Sequence, residues 1–128
     1  MAKVIKCKGK SLLLDTNVLI SQINGAYDVS DSLAEAKKLY ISALTQAEIY
    51  AGTPKNALMD VQEFLSAFTV LPVTADISTL AGAYKSAFAS RGLKDLIIAA
   101  TAQVHQLTFC TENKKDFVGL TSLKTLFL

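Results

Sequence analysis

The stretch LLLDTNVLISQIN, residues 12–24, contains the transition on which the fold of this chain depends. It begins with three leucines, the wholly apolar composition of a short strand that is buried on both faces of a parallel sheet. Asp15 ends this run, and residues 17–24 predict a short helix that Gly25 terminates. A strand that leads directly into a helix is typical of an α/β fold.

The same alternation of strand and helix continues along the chain. Further strands are predicted at residues 40–44, 69–73 and 107–110, with a fifth edge strand at 122–128. Helices are predicted from residue 30 or 31 to 39, at 45–51, 55–68, 75–90 and 93–106, with a short helical turn after residue 115. We therefore expect a three-layer α/β/α fold with a central four- or five-stranded parallel sheet.

Composition limits the class of protein. The chain has 128 residues, 51% of them hydrophobic and 19% charged, which predicts one folded domain over residues 1–128 with a basic N-terminal extension at 1–10. The apolar runs are shorter than the roughly 20 residues that span a bilayer, and the N-terminus lacks the apolar core of a secretory signal. We expect a cytoplasmic protein without a membrane partner. Cys110 lies in a strand-like run and is expected to be buried, and no disulfide is expected in a reducing compartment.

Four of the eleven acidic residues fall at the end of a predicted strand or near the start of a predicted helix. In an open α/β sheet, ligands bind at the edge where these positions meet. Carboxylates brought together without a cation repel one another, and a hard divalent cation such as Mg²⁺ or Mn²⁺ relieves that repulsion. The pattern predicts a metal site formed by Asp15, Glu48, Asp95 and Asp116.

Each of these acids also has a purely structural interpretation. Asp15 could be the N-cap of the helix that follows the first strand. Glu48 and Thr45 fit a capping box, in which Glu48 would accept from the Thr45 N–H. Asp95 could complement the dipole in the first turn of its helix, and Asp116 could be a turn residue. Only the coincidence of four acids at equivalent positions favours the metal site.

The net charge is +2, and the basic residues are unevenly distributed. Several lysines crowd the N-terminus, and two basic pairs precede acids: Arg91 and Lys94 before Asp95, and Lys114 and Lys115 before Asp116. Cations beside a carboxylate cluster suit a phosphodiester substrate, which requires both backbone neutralisation and metal chemistry. The alternative is that these side chains are ordinary solvated surface.

Four segments of the chain, in order, resemble the motifs of PIN-domain ribonucleases. They are LDTNVLI at residues 14–20, TQAE at 45–48, DLIIAATA at 95–102 and TENKKDF at 111–117. The resemblance covers nearly the whole chain from Leu12 onward, and the short length is most similar to the VapC-type toxins of toxin–antitoxin pairs. Two features depart from the pattern: the short connection at residues 90–94 and the long extension at 1–10.

The resemblance implies a metal-dependent endoribonuclease that acts on RNA and is paired with a small antitoxin protein. It also implies a homodimer. The four acids would bind one or two Mg²⁺ or Mn²⁺ ions, and the basic pairs are candidates for RNA binding. Polar neighbours that could orient water, phosphate or a carboxylate are Thr16, Thr111 and Asn113.

Two other functions are compatible with an α/β sheet. A non-catalytic PIN-like module would bind RNA or protein without cleaving it, but such a module does not need mutually repelling carboxylates. A phosphoacceptor receiver domain carries paired acids after its first strand and an Asp after its third. Here only Asp15 follows the first strand, and the third is followed by Thr74 and Ala75. The single histidine, His105, ends a predicted helix and has no second ligand nearby.

Overall fold

Helices and strands alternate along the chain in the computed structural model, which describes residues 7–25, 33–113, 117, 119–120 and 123–127. The elements of the described residues are β1 (Ser11–Leu14), α1 (Thr16–Ile23), β2 (Lys38–Ser42), α2 (Ala43–Ala51), α3 (Leu58–Leu65), β3 (Thr69–Leu71), α4 (Ala75–Ala87), α5 (Leu93–Val104), β4 (Thr108–Thr111) and β5 (Thr125–Phe127), with a 3₁₀ turn at Lys55–Ala57. Among the helices described, none combines the length and the apolar character needed to cross a membrane.

The five strands form one parallel sheet in the order β3-β2-β1-β4-β5. β1 lies at the centre, where Leu13 pairs with Tyr40 of β2 on one side and Phe109 of β4 on the other. From β1 the chain proceeds to β2 and then β3 on one side of the sheet, and it then crosses back to place β4 and β5 on the other side of β1. The direction in which strands are added therefore reverses between β1 and β4. Beyond the carboxyl ends of these two strands lies the crevice where open α/β sheets bind ligands.

The alternation of side chains along β1 explains why its last three residues are all apolar. Leu12 and Leu14 pack in a core with α1 and α3 on one face of the sheet, and Leu13 packs in a second core with α4 and α5 on the other. All three leucines are fully buried. Since successive side chains of a strand point to opposite faces, a strand covered on both faces favours apolar residues at successive positions. The predicted α/β/α architecture is confirmed.

The region before β2 differs from the prediction. A helix was expected to extend to residue 39, but Lys38 and Leu39 already belong to β2, and residues 26–32 lie outside the described residues. Leu39 pairs with Leu12, so the partner strand decides the backbone conformation there rather than local propensity. The strand also ends earlier than predicted because Ser42 caps α2, with its side chain accepting from the Leu44 N–H at 3.1 Å.

Other element boundaries differ by a few residues. The helix predicted at 55–68 is a 3₁₀ turn followed by α3, which ends at Leu65, and the helix predicted at 75–90 ends at Ala87. The fifth strand is present but covers only Thr125–Phe127. Cys110 is buried, as predicted, and His105 is the residue that ends α5.

Candidate active site at the carboxyl edge of the sheet

Asp15 lies directly after β1 and is only 2% exposed. Its N–H donates to the Cys110 carbonyl at 2.9 Å, which continues the pairing of β1 with β4 by one residue. The side chain caps α1, because Oδ1 accepts from the Thr16 N–H at 2.9 Å. The second oxygen, Oδ2, accepts from the Thr111 hydroxyl at 2.8 Å. The capping interpretation of Asp15 is confirmed, but capping uses only one of the two carboxylate oxygens.

Thr111 is the last residue of β4 and is fully buried. While its hydroxyl donates to Asp15, its oxygen accepts from the Asn113 N–H at 3.0 Å. A hydroxyl has one proton and two acceptor lone pairs, so Thr111 can satisfy both contacts at once. Thr111 therefore fixes the Asp15 carboxylate and holds the turn after β4 against it.

Glu48 reaches the same edge of the sheet from α2, where it is half-buried. The capping-box interpretation is wrong, since the N-cap of α2 is Ser42 and both Thr45 and Glu48 lie inside the helix. Instead, Glu48 Oε1 lies 2.9 Å from Thr16 Oγ1. Residues three apart on a helix share a face, which directs Thr45 and Glu48 together towards α1.

Thr45 is a site residue that the sequence interpretation missed. It is fully buried, and its Oγ1 lies 2.9 Å from Thr16 Oγ1. The single Thr16 proton goes to the Glu48 carboxylate, which can only accept, and the Thr45 hydroxyl then donates to Thr16. The three-residue spacing of Thr45 and Glu48 on a helix was the sequence signal that could have identified this chain of hydroxyls.

Asp95 lies in the first turn of α5, as its structural interpretation predicted, and is half-buried. Its charge acts on Asp15. Burial raises the pKa of Asp15 to about 6, the Thr111 hydrogen bond opposes that rise, and the negative charges of Asp95 and Glu48 add to it. The fold thus brings the carboxylates of Asp15, Glu48 and Asp95 into one electrostatic environment.

The remaining predicted residues are distributed differently. Lys94 is exposed and directly precedes Asp95, whereas Arg91 is half-buried, with its guanidinium carbon 4.5 Å from the centre of the Phe88 ring. His105 ends α5, ten residues and therefore about 15 Å along the helix from Asp95. Three predicted residues lie outside the described part of the chain: Lys114, Lys115 and Asp116.

The donor set suits a small hard cation. The three carboxylates are oxygen donors with excess negative charge, and the pKa of one of them, Asp15, is raised by burial and further by the charges of Asp95 and Glu48. Within residues 7–25, 33–113 and the described positions after them, no three acidic, histidine or cysteine side chains form a complete metal-binding group. Mg²⁺ does not require one, since it commonly binds through one or two carboxylates and retains several waters.

A parallel sheet with an acidic cluster at its strand-order reversal defines an α/β protein with a cation-compatible site at the sheet edge. The family model described as PIN domain matches residues 12–119, and the chain belongs to the PIN domain family. The family assignment excludes the receiver-domain alternative.

Related proteins and solved structures extend the comparison. Ribonuclease VapC10 of Mycobacterium tuberculosis is 34% identical over 123 residues, which cover 91% of this chain and 92% of that protein. A toxin-antitoxin complex from Klebsiella pneumoniae contains a chain with a TM-score of 0.77 and 32% identity, covering 88% of this chain and 94% of that one. A chain in the structure of VapBC2 from Rickettsia felis, bound to a DNA fragment from its promoter, has a TM-score of 0.80 and 24% identity. The match covers 92% of this chain and 98% of that one, and it supports the fold alone.

Proposed function

We propose that this protein is a metal-dependent endoribonuclease and the toxin of a toxin–antitoxin pair. The observation that carries the proposal is the buried Asp15 carboxylate, held by Thr111 and Thr16 and facing the charges of Glu48 and Asp95. A fold gains no stability from gathering carboxylates in this way. The names of the relatives support ribonuclease chemistry and a toxin–antitoxin context. RNA in the cytoplasm is the substrate that this function requires.

We assign cation binding to Asp15, Glu48 and Asp95, and by sequence position to Asp116 as well. Mg²⁺ or Mn²⁺ would fit these oxygen donors, and when bound would offset phosphoryl charge and lower the pKa of water. His105 lies about 15 Å along the helix from Asp95 and is not assigned a role as general base. The roles that we assign to the side chains of the site are cation binding and orientation. Thr111 fixes Asp15 and Thr16 fixes Glu48, so both carboxylates are oriented before any ligand arrives.

RNA binding is assigned to the basic residues on this edge. Lys94 is exposed directly beside Asp95 and is the described cation best placed to neutralise a phosphate of the RNA backbone. Arg91 is also proposed to add positive charge, although its Nη1 atom is buried and only the remainder of the side chain can contact RNA. Lys114 and Lys115 remain predictions from the sequence.

The antitoxin is proposed to bind along α1. Ile20 and Ile23 are each 39% exposed and line a depression that reaches Glu48, and Ile23 also borders a second depression against Val61 and Phe64 of α3. A partner segment with apolar side chains would bury this surface and end beside the acidic site. Pairing into a homodimer stays a prediction of the family resemblance.

The alternative, a PIN-like module that binds without cleaving, is tested together with the main proposal. Cellular RNA is incubated with the wild type, Asp15→Asn and Asp95→Asn in Mg²⁺ or Mn²⁺ and in EDTA. We expect discrete products that require the metal and both carboxylates. Asp76→Asn is the matched control for Asp95→Asn, because Asp76 is an exposed acid in the first turn of α4. Cleavage by Asp15→Asn at the wild-type rate, or by the wild type in EDTA, would refute the proposal.

A further inference from the structure

Arg91 makes an unusual set of contacts just before the helix that carries Asp95. Its guanidinium stacks on Phe88, and its Nη1 atom is buried without a hydrogen-bond partner in the described residues. The guanidinium is therefore held against an aromatic ring and partly withdrawn from solvent, directly before the helix that carries Asp95.

Gly119 lies against this stacked pair. A Cβ atom at residue 119 would be 2.8 Å from Phe88 Cε1 and 3.4 Å from Arg91 Nη1. The backbone of Gly119 is not in the left-handed region, so a larger residue here would meet no backbone strain but would have to displace the Phe88 ring. The close approach brings the chain after β4 into contact with the connection between α4 and α5.

Hydrogen bonds hold the connection between α4 and α5 in place. Lys85 Nζ donates to the carbonyls of Ala89 and Arg91, at 2.7 and 2.5 Å, and the Arg91 N–H donates to the Phe88 carbonyl at 3.0 Å. The Leu96 N–H donates to the Gly92 carbonyl at 3.1 Å, which starts α5. Phe88 and Arg91 therefore belong to a hydrogen-bonded segment that leads directly into the first turn of α5.

The other half of the contact is anchored to β4. Phe117 is buried and packs edge-on against Phe109, with ring centres 4.8 Å apart. The Leu120 N–H donates to the Phe117 carbonyl, so Gly119 lies within a closed turn on this anchor. β4 ends at Thr111, which binds Asp15. Phe88, Arg91 and Gly119 thus lie between the segment that leads to Asp95 and the strand that carries Thr111, the partner of Asp15.

We infer that Phe88, Arg91 and Gly119 form a latch that sets the position of Asp95 relative to Asp15. All three are positioning residues, because they act through the carboxylates. The inference rests on the proposed function, since the latch affects how the carboxylates bind a divalent cation. Mg²⁺ demands near-ideal geometry, and a displacement of about 1 Å at a site can cost as much as about a hundredfold in rate.

The test compares Gly119→Ala with Gly82→Ala, the same substitution on α4 at a position where the new methyl meets open space. RNA cleavage is measured as a function of Mg²⁺ concentration, and amide hydrogen exchange is measured at the start of α5. For Gly119→Ala we expect the half-saturating Mg²⁺ concentration to rise about tenfold and exchange at the Leu96 amide to accelerate. Saturating Mg²⁺ should restore most of the rate, and Gly82→Ala should match the wild type in both measurements.

Phe88→Leu is the second variant, since it removes the ring without adding a clash. It should raise the half-saturating Mg²⁺ concentration in the same direction. An unchanged Mg²⁺ midpoint in both variants would overturn the inference, even if the rate at saturation fell, because that pattern indicates only a loss of folded protein. Faster exchange without a change in the Mg²⁺ midpoint would also overturn it. Failure of the proposed function is a separate result, in which the wild type cleaves without metal or Asp15→Asn cleaves normally.

Discussion

The buried carboxylate of Asp15 should destabilise the metal-free protein at neutral pH, and Asp15→Asn should stabilise it. The pKa of this group is about 6 in the folded protein and 3.8 in its ordinary state. One pKa unit corresponds to 1.36 kcal/mol, so ionisation of Asp15 costs the folded state about 3 kcal/mol. Asparagine avoids that cost but loses one hydrogen bond to a charged acceptor, worth about 1.5 kcal/mol, which leaves a net gain of about 1.5 kcal/mol.

The sign of the effect depends on pH. Below pH 3.8 the carboxyl is protonated in both states, and its contribution to stability is fully present. As the pH rises from about 4 to about 6, the unfolded chain releases its proton while the folded protein retains it, so the free energy of unfolding declines. Asp15→Asn should therefore be slightly less stable than the wild type at pH 4, where it only loses the Thr111 hydrogen bond, and reach its full advantage above pH 6.

Thermal and urea denaturation in EDTA at pH 4.5, 6 and 8 provide the measurement, with circular dichroism as the probe. At pH 8 the variant should melt roughly 5–8 °C above the wild type, given a few degrees per kcal/mol for a domain of this size. Asp76→Asn, which changes an exposed acid, should lose less than about 1 kcal/mol by weakening its interaction with the helix dipole.

Adding Mg²⁺ in place of EDTA should reverse the order of stability of the wild type and Asp15→Asn. A ligand that binds only the folded state stabilises it by RT ln(1 + [L]/Kd), so the wild type gains about 1.4 kcal/mol for each tenfold excess over Kd. Asp15→Asn should gain far less. A variant that is less stable than the wild type at pH 8 in EDTA, or a difference that does not change with pH, would refute the electrostatic argument.

Three other predictions concern separate parts of the molecule. Thr45→Val should lower kcat about tenfold with little change in KM, because the Thr16 hydroxyl then orients Glu48 less well, and unchanged steady-state kinetics would contradict this. Lys94→Ala should weaken binding to RNA of every sequence. The slope of the logarithm of the binding constant against the logarithm of salt concentration should become shallower by about 1, as measured by fluorescence anisotropy at several salt concentrations. Cys7 and Cys110 should react with a thiol reagent only after unfolding, because burial raises the pKa of both thiols, and rapid labelling of the native protein would show otherwise.

The sequence determined the architecture and most of the candidate site. Three consecutive leucines in a strand are typical of a sheet covered on both faces, so the parallel α/β/α fold followed from residues 12–14 and the alternation after them. The positions of Asp15 and Asp95 at the starts of α1 and α5 also followed from local pattern. These predictions depend on neighbours within one or two turns of chain, and local sequence contains that information.

Only the tertiary structure decided which groups touch. Thr111 and Asp15 are 96 residues apart in sequence, and they meet because parallel pairing of β1 with β4 brings both carboxyl ends to one edge. The local pattern assigned Glu48 to a capping box, but Ser42 takes the cap and leaves Glu48 free to meet Thr16, 32 residues away. Register and helix docking set these contacts, and both depend on the cores packed against the two faces of the sheet. Spacing along the chain therefore identified the acids, and packing between distant elements gave them their partners.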